Sequence, residues 1–480
     1  MIRAPYLLGG AVVLGLAAST ADRFSLAGAA ALAVLAVVQP RVAVVCVLVV
    51  AGWWWGSARL HALDRSELAP YAGTAGRVLV HVSEPPRRSR FDARVRGIVR
   101  RWRSARVHEP VLLKLPASRA PPPQGADVSA LATVQPPADY ERTWLRRHGV
   151  HVVLHASVWR IVRRRGGVAD RLHAWLVRAS TPGLAGERRA VLDGVVLGED
   201  DGLSDELRRR FRASGLYHLL AVSGGNVIVV GGGAVGLALL LGVSRFAAEV
   251  AGLVAILGYV LAVGPQPSVL RAGIAGALGS LAWLTGRQRD RWYALLVAAI
   301  VLLGWNPWNV LDPGFQLSFA AVASIFLLAP RFRRVLEGYP LPGWGRDCVA
   351  VSTACGLCTA PISWLHFHAV PVLSVPANVA AAPVVAPMLA LALLAAIVPP
   401  AGPVLAQLSG LAAAYLAGCA RFFGGLPGAQ ARSPAAVAAL ASGVLLAAAY
   451  ARRRGERVEA GLSPVRQRPT EDSPRRPPSP

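Results

Sequence analysis

Charge is what this chain has least of. Only 16% of its 480 residues are Asp, Glu, Lys or Arg, where a soluble protein carries about 25%. That deficit argues against an ordinary water-soluble protein of this length. Lysine is nearly missing: Lys114 is the single one. A coding bias toward Arg, Ala, Gly and Pro accounts for that ratio. It does not account for 51 basic against 26 acidic residues, a net charge of +25, which suits anionic lipid, nucleic acid or both. Cysteine is scarce as well. Cys46, Cys348, Cys355, Cys358 and Cys419 lie in or beside apolar segments, and residues 58–180 hold none, so no disulfide braces that stretch. Cys355 and Cys358 make a lone C-x-x-C in an apolar setting, read here as packing thiols ahead of a metal or redox site. H-E-x-x-H, G-x-x-x-x-G-K-[ST] and G-x-S-x-G are all missing. His366-Phe367-His368 runs on into Ala369-Val370-Pro371, without the Asp-His that a metal-binding H-x-H-x-D-H run needs. These two histidines read as interfacial or pore residues. No catalytic residue, metal ligand or cofactor is expected, and the chain does not read as an enzyme. No strong internal repeat is visible.

What is present is apolar. Hydrophobic residues make up 54% of the chain and its mean hydropathy is +0.45. Repeated apolar runs imply a membrane protein with several spans. Residues 5–21, 24–39 and 41–56 read as three short segments punctuated by Arg3, Arg23 and Arg41, with Trp53-Trp54-Trp55 as an interfacial belt. The first lacks a strongly basic leader, so a cleaved signal peptide is not expected. From 216 to 450, spans are expected to begin near 216, 246, 268, 291, 315, 348, 371, 403 and 434. Residues 451–480 read as a basic, Pro- and Ser-rich disordered tail on the cytoplasmic side.

Between these regions the character changes. Residues 58–165 are Arg-rich, with alternating runs such as 77–82 and 150–155 broken by Pro85-Pro86, Pro121-Pro122-Pro123 and Pro136-Pro137. Short strands and Pro-rich turns predict a small β-barrel domain, an OB-like barrel being one option. Such barrels hold single strands in basic grooves with stacking rings. The candidates are Arg94, Arg96, Arg101, Trp102 and Arg103. Trp102, Trp144 and Trp159 either stack on bases or pack a core. Residues 166–213 read as amphipathic helices lying in the membrane interface. The fold class is thus an α-helical polytopic membrane protein with an inserted small β-rich, OB-like soluble domain outside the membrane. Its parts are 1–57, 58–165, 166–213, 214–450 and 451–480.

Polar residues interrupt the apolar region in four places. Hydrocarbon does not solvate them, so each is expected to face a partner helix or a water-filled path. The first place holds His218, Ser223, Gly224 and Asn226, with glycines that permit close approach of backbone or ligand, or plain helix packing. The second holds Arg271, either a snorkelling anchor or a buried charge. In the third, Asp312-Pro313-Gly314 reads as a helix start capped by Asp312, with Gln316 and Ser318 in the first turns. The fourth, 361–387, holds His366, His368, Asn378, Pro383 and further prolines, a pattern of a broken or re-entrant segment.

Three of these places match, in order, a known family. Arg212-Ala213-Ser214-Gly215-Leu216-Tyr217-His218-Leu219-Leu220-Ala221-Val222-Ser223-Gly224 is similar to the "ATGLSHLLAVSG" stretch of ComEC-type competence proteins, the inner-membrane DNA-uptake channels. Leu311 to Phe319 resembles their "DPGFQLSF" motif, and Val375 to Pro383 their "NLLAAP"-like segment. Val269-Leu270-Arg271-Ala272 is a weaker echo, and 138–150 is similar to the end of their N-terminal domain. The resemblance implies a route for one strand of incoming DNA through the cytoplasmic membrane. It also strengthens the OB-like expectation for 58–165. Where the family often has Leu-His after Ser-Gly, this chain has Gly225-Asn226, which hydrogen-bonds but does not titrate. The family's C-terminal metallo-β-lactamase-like domain is not seen, so degradation of the other strand is expected to need a separate nuclease. The implied partners are single-stranded DNA, membrane lipids, a DNA receptor and a cytoplasmic motor or helicase. The expected lining is neutral and hydrogen-bonding, because fixed strong cations would trap a polyanion. The rival readings are a small-molecule or lipid-linked transporter, and an intramembrane enzyme using Asp312, His218 or His366.

Overall fold

Two helices open the computed structural model, which describes residues 4–20, 40–84, 86–88, 92–116, 121–163, 167–264, 266–286 and 290–438. The expected segment 24–39 and the tail 451–480 lie outside the described residues, as does most of the span expected from 434. α1 (Ala4–Ala18) and α2 (Pro40–Leu63) pack side by side. Glycine makes this possible. A Cβ on Gly52 would lie 2.7 Å from the Val12 carbonyl oxygen, and one on Gly15 would overlap that of Val49. Contacts advance in the same sense along both helices, so the two run parallel. α2 continues past the Trp53-Trp54-Trp55 belt to Leu63, beyond the boundary expected at 57, and Trp55 Nε1 donates to the Gly304 carbonyl at 2.9 Å.

The inserted domain is built from five longer strands: β1 (Ala75–Val82), β2 (Asp92–Trp102), β3 (Ala105–Pro116), β4 (Asp127–Gln135) and β5 (Val153–Arg163). β1, β2 and β3 form an antiparallel meander. β4 returns to pair with β1. β5 then closes the gap, antiparallel to β4 and parallel to β3. Strand order 4-1-2-3 is a Greek key, and the closed five-strand sheet has the architecture of an OB-type barrel. Alternation sets the faces: along β2, Ala93, Val95 and Val99 point inward while Arg94 and Arg96 point outward. The core is dominated by valine, with Val78, Val80, Val95, Val111 and Val128 each essentially buried. Such burial contributes ~1.5–3 kcal/mol per side chain. The short helix α3 (Asp139–Arg147) covers one side between β4 and β5.

Three helices follow: α4 (Val168–Ala179), α5 (Gly186–Leu197) and α6 (Asp205–Ser214). Gly215, at φ 78°, ends α6 in a left-handed cap, and after the one-turn α7 (Tyr217–Leu220) the chain is extended at Ala221. The first span of the bundle therefore starts at Gly224 and not near 216. The bundle comprises α8 (Gly224–Leu240), α9 (Arg245–Val263), α10 (Pro267–Leu284), α11 (Arg291–Trp305), α12 (Pro313–Leu327), α13 (Ala329–Val335), α14 (Gly343–Phe367), α15 (Ser374–Ile397) and α16 (Gly402–Gly425). Starts expected at 246, 268, 291, 315, 348, 371 and 403 fall within five residues of those observed. Among the described residues five helices are long and apolar enough to cross a membrane: part of α2, α9, α14, α15 and α16. The pair α12 and α13, bent by 46°, makes a sixth if counted as one span. The chain is a multi-pass membrane protein.

The pairs α8–α9, α9–α10, α12–α14 and α15–α16 are antiparallel. Gly231 meets Ile256 while Gly252 meets Val235, and Gly273 meets Val260 while Gly276 meets Ile256. Ser324 faces Cys355 as Gln316 faces His366, and Ser409 faces Met388 as Tyr415 faces Ala380. The starts of α8, α10, α12 and α15 therefore share one end with the finishes of α9, α11, α14 and α16. The barrel sits at that same end. Tyr6, at the start of α1, donates to Asp290, the cap of α11 at the opposite end.

Candidate functional site

The first three polar clusters and the start of the fourth lie at the barrel-facing end of the bundle, while Pro383 and Pro387 of the fourth sit near the middle of α15. The site divides into a barrel cleft, a joint and a polar bundle mouth.

The cleft, about 280 Å³, is lined by Glu84, Arg94, Arg96, Leu112, Glu141, Trp144 and Leu145. β2 supplies the arginines from its outer face, and α3 supplies Glu141 and Trp144. Arg94 Nη1 lies 2.6 Å from Glu141 Oε1, and Arg96 Nη1 2.8 Å from Glu84 Oε1. The Arg96 guanidinium is also 5.4 Å from the Trp144 ring centre, a cation–π distance. Trp144 is 45% exposed. Trp102, by contrast, is buried in the barrel core, as is Trp159. Trp102 sits at an inward position of β2, so its place among candidate base-stacking residues is corrected. Arg101 and Arg103 are exposed at the far tip of the β2–β3 hairpin, away from the cleft; Arg103 Nη2 donates to the Ala75 carbonyl at 3.0 Å.

The joint begins where α3 ends. His148 Nδ1 bonds the Trp144 carbonyl at 2.8 Å. Burial holds its imidazolium below the usual histidine range. The Trp144 carbonyl opposes that shift, the charge of Arg96 assists it, and the charges of Asp312 and Glu84 oppose it. His148 thus lies in the field of both the cleft and the bundle mouth. Asn306 Nδ2 donates to the Arg147 carbonyl at 2.9 Å, and the Arg147 guanidinium lies 5.9 Å from the Trp308 ring centre. Asn306 opens the third polar cluster in the sequence, and His148 lies in the stretch 138–150 similar to the family's N-terminal domain; that the two meet through Arg147 was not legible there.

At the mouth, Asp312 does what its position suggests: Oδ1 accepts from the Phe315 N–H at 3.0 Å and caps α12. Gly314 follows in the first turn, and no room is left beside Asp312 Oδ1, 2.9 Å from where a Cβ would stand. Gln316 is used at both ends. Its Nε2 donates to the Val310 carbonyl at 2.8 Å, and its Oε1 accepts from His366 Nε2 at 2.8 Å. His366, expected as an interfacial or pore residue, is thereby tied across to α12. Ser318 is half-buried on the same helix. Next to it, Phe319 stacks on Phe315 with ring centres 4.2 Å apart and lies 6.0 Å from the Arg271 guanidinium.

Arg271, on α10, has a buried Nε with no hydrogen-bond partner and no carboxylate in reach among the described residues. Its Nη2 would be 3.7 Å from a Cβ on Gly224 at the start of α8. A buried arginine without a counter-charge is costly, and the side chain reads as a buried charge and not as a snorkelling anchor. Ser268 Oγ donates to the Val222 carbonyl at 2.8 Å and holds α10 against this turn.

Asn226 is buried and fully engaged. Its Nδ2 donates to the Val195 carbonyl at 2.7 Å, and its Oδ1 accepts from Ser223 at 3.0 Å. Tyr259 donates to the Val196 carbonyl at 2.7 Å. Together Asn226 and Tyr259 satisfy carbonyls left open at the end of α5. His218 is exposed and bonds the Gly215 carbonyl at 2.8 Å. Asn378 is half-buried on α15, and Pro383 is exposed one helical stretch further along. Neither touches the Arg271–Gln316 group through any hydrogen bond among the described residues. The acidic run near 200 also has a role the sequence did not disclose: Asp200 accepts from Tyr217 at 2.8 Å and pairs with Arg208 at 3.1 Å. Cys355 packs against Ser324 at 3.6 Å. Among the described residues, no group of three or more His, Cys, Asp or Glu could hold a metal ion.

Comparison with known proteins bears on what this end of the bundle is. The chain is 31% identical over 196 residues to the ComE operon protein 3 of Bacillus subtilis (strain 168), which covers 40% of this chain and 24% of that protein. It is 26% identical over 211 residues to the uncharacterized protein YcaI of Escherichia coli (strain K12), covering 41% of this chain and 27% of that protein. The matched part therefore spans about a quarter of each curated relative. No solved structure matches. The family model described as Competence protein matches residues 195–455, more than half of the chain and all four polar clusters. The barrel-facing mouth is thus the end at which the matched region gathers its polar residues, and the chain belongs to the Competence protein family.

Proposed function

We propose that this chain passes a single strand of DNA across the cytoplasmic membrane during natural transformation. One observation carries the reading: the barrel cleft adjoins the polar mouth of the bundle through a joint in which Asn306 bonds the Arg147 carbonyl and the Arg147 guanidinium lies against Trp308. An OB-type barrel binds oligonucleotides on its second and third strands and on the loops flanking them. The cleft occupies that position, with arginines from β2 and a ring from α3. DNA phosphates would displace Glu84 and Glu141 from Arg96 and Arg94, while a base stacks on Trp144. Stacking of this kind is worth ~1–3 kcal/mol per base. Because each arginine exchanges one anion for another, the strand is held weakly enough to move on.

Beyond the joint, the strand meets neutral donors and acceptors and the uncompensated cation of Arg271. That charge offsets the cost of bringing phosphate to membrane depth, and the neutral surroundings keep it from becoming a trap. Direction follows from the resemblance to the DNA-uptake channels, which implies an outward N-terminal domain. Charge does not decide it: the opposite end of the bundle carries Arg245, Arg291, Arg333 and Arg334, and the barrel end carries Arg208, Arg209, Arg210, Arg212 and Arg421. The barrel then faces outward, where a DNA receptor delivers substrate. The driving force is assigned to a cytoplasmic motor or helicase partner.

The test is uptake of labelled DNA in a deletion strain, with surface-bound and DNase-protected fractions scored separately. The gene restores the protected fraction, and Arg271→Ala does not while leaving surface binding intact. Unchanged protection on deletion overturns the reading and favours a small-molecule substrate.

A further inference from the structure

We infer that the outward side of α4, with the end of β5, is a contact for the anionic phospholipid headgroups of the barrel-side leaflet. Val168, Arg171, Trp175 and Arg178 recur at three- and four-residue intervals and so share one side of α4. All four are exposed. The other side of the helix is committed to the protein. His173 is buried, with Nδ1 2.9 Å from the Ala262 carbonyl and Nε2 3.0 Å from Glu199 Oε1. Ala262 belongs to the last turn of α9, one of the helices able to cross a membrane. α4 therefore lies at the height where that span ends, the water–hydrocarbon boundary.

The chemistry of the free side matches that boundary. Upstream on β5, Val158, Arg160 and Val162 are also exposed. Between 158 and 178 the one acidic residue is Asp170, and it is turned inward, accepting from the Gly167 N–H at 2.9 Å and lying 3.5 Å from His81 Nε2. Arg160, Arg171 and Arg178 have no carboxylate partner among the described residues. A face of aliphatic groups, one indole and unpaired arginines suits the headgroup zone: indole rings favour it, arginine stems bury while their charges reach phosphate, and anionic lipid supplies the missing counter-charge. Nucleic acid is the weaker fit, since strand binding uses successive stacking rings and this face has only Trp175.

The experiment uses the full chain in nanodiscs containing phosphatidylcholine and phosphatidylglycerol at fixed proportions, with bromine on the acyl chains of one lipid or the other. Wild type minus Trp175→Phe isolates the Trp175 emission. Quenching about twofold stronger with brominated phosphatidylglycerol is expected from local enrichment of the anionic lipid. The preference should vanish in Arg171→Gln/Arg178→Gln and persist in Arg171→Lys/Arg178→Lys, with elution and helical content unchanged in both. Equal quenching by either lipid in the wild type overturns the inference, as does a preference that survives the Gln pair. Relief of quenching by stoichiometric oligo-dT also overturns it and assigns the face to nucleic acid. None of these outcomes depends on whether the bundle conducts DNA.

Discussion

Arginines of the barrel cleft and the arginine of the bundle mouth solve opposite problems. Arg94 and Arg96 are each held by a carboxylate, Glu141 at 2.6 Å and Glu84 at 2.8 Å. Arg271 has none and faces Phe319 and the start of α8. In the cleft, water is near and desolvation is mild, so pairing costs little and a phosphate can replace the carboxylate. In the bundle, a permanent carboxylate would cancel the charge and compete with any passing anion. Paired arginines make a surface that binds and releases; a bare one lowers a barrier.

The sharpest way to break this contrast is to supply Arg271 with a counter-charge. Ala272→Glu is expected to abolish the DNase-protected fraction while surface-bound DNA stays constant; protected uptake near wild type would show that Arg271 need not be bare. Next in size is Trp102→Ala, which removes a buried indole and should cost ~3–5 kcal/mol of barrel stability. Trp144→Ala, at the cleft, should leave melting nearly unchanged and weaken oligo-dT binding by the full chain by ~1–3 kcal/mol. Reversed outcomes for the two tryptophans would place the strand elsewhere. Smaller again is Glu84→Gln, which frees Arg96; oligo-dT binding should tighten by roughly 1 kcal/mol or less, with a steeper dependence on salt. A Glu84→Gln variant that binds more weakly would mean that the pair is structural.

The smallest expected effect concerns pH. Burial works to lower the His173 pKa, but the hydrogen bond and charge of Glu199 outweigh it and hold the value above the ordinary 6.5. A raised histidine pKa contributes stability that is complete below the unfolded value and is lost as pH climbs through the folded one. Hydrogen exchange at the α4–α9 contact, corrected for intrinsic rate, should therefore quicken as pH rises above about 6.5. Glu199→Gln should flatten that response.

Local features were legible in the sequence and distant pairings were not. Alternation along 77–82 predicted β1, and the Pro-rich turns predicted a small β domain, because side-chain period and turn chemistry are local. Asp312 was readable as a cap for the same reason. Strand β5 was harder: the run 150–155 suggested a strand, yet 150–152 lead in from α3 and pairing starts at Val153. The first bundle span was expected eight residues early, since apolar content gives no sign of the left-handed turn at Gly215. Gln316 and His366 are 50 positions apart, and Asn226 meets the Val195 carbonyl 31 positions upstream. Such partners are fixed by how helices cross. Trp102 shows the limit in one side chain: its type suited stacking, and its inward register on β2 decided otherwise.

Gly15 and Gly52 let α1 and α2 touch backbone to backbone while running the same way. During synthesis, α1 leaves the ribosome before the end of α2 does. It therefore enters the bilayer with a bare groove that only α2 fits, and lipid tails must occupy that groove in the meantime. A bulky residue at Gly15 would leave α1 able to insert and unable to be joined, so its damage would be read in protein quantity before it is read in transport.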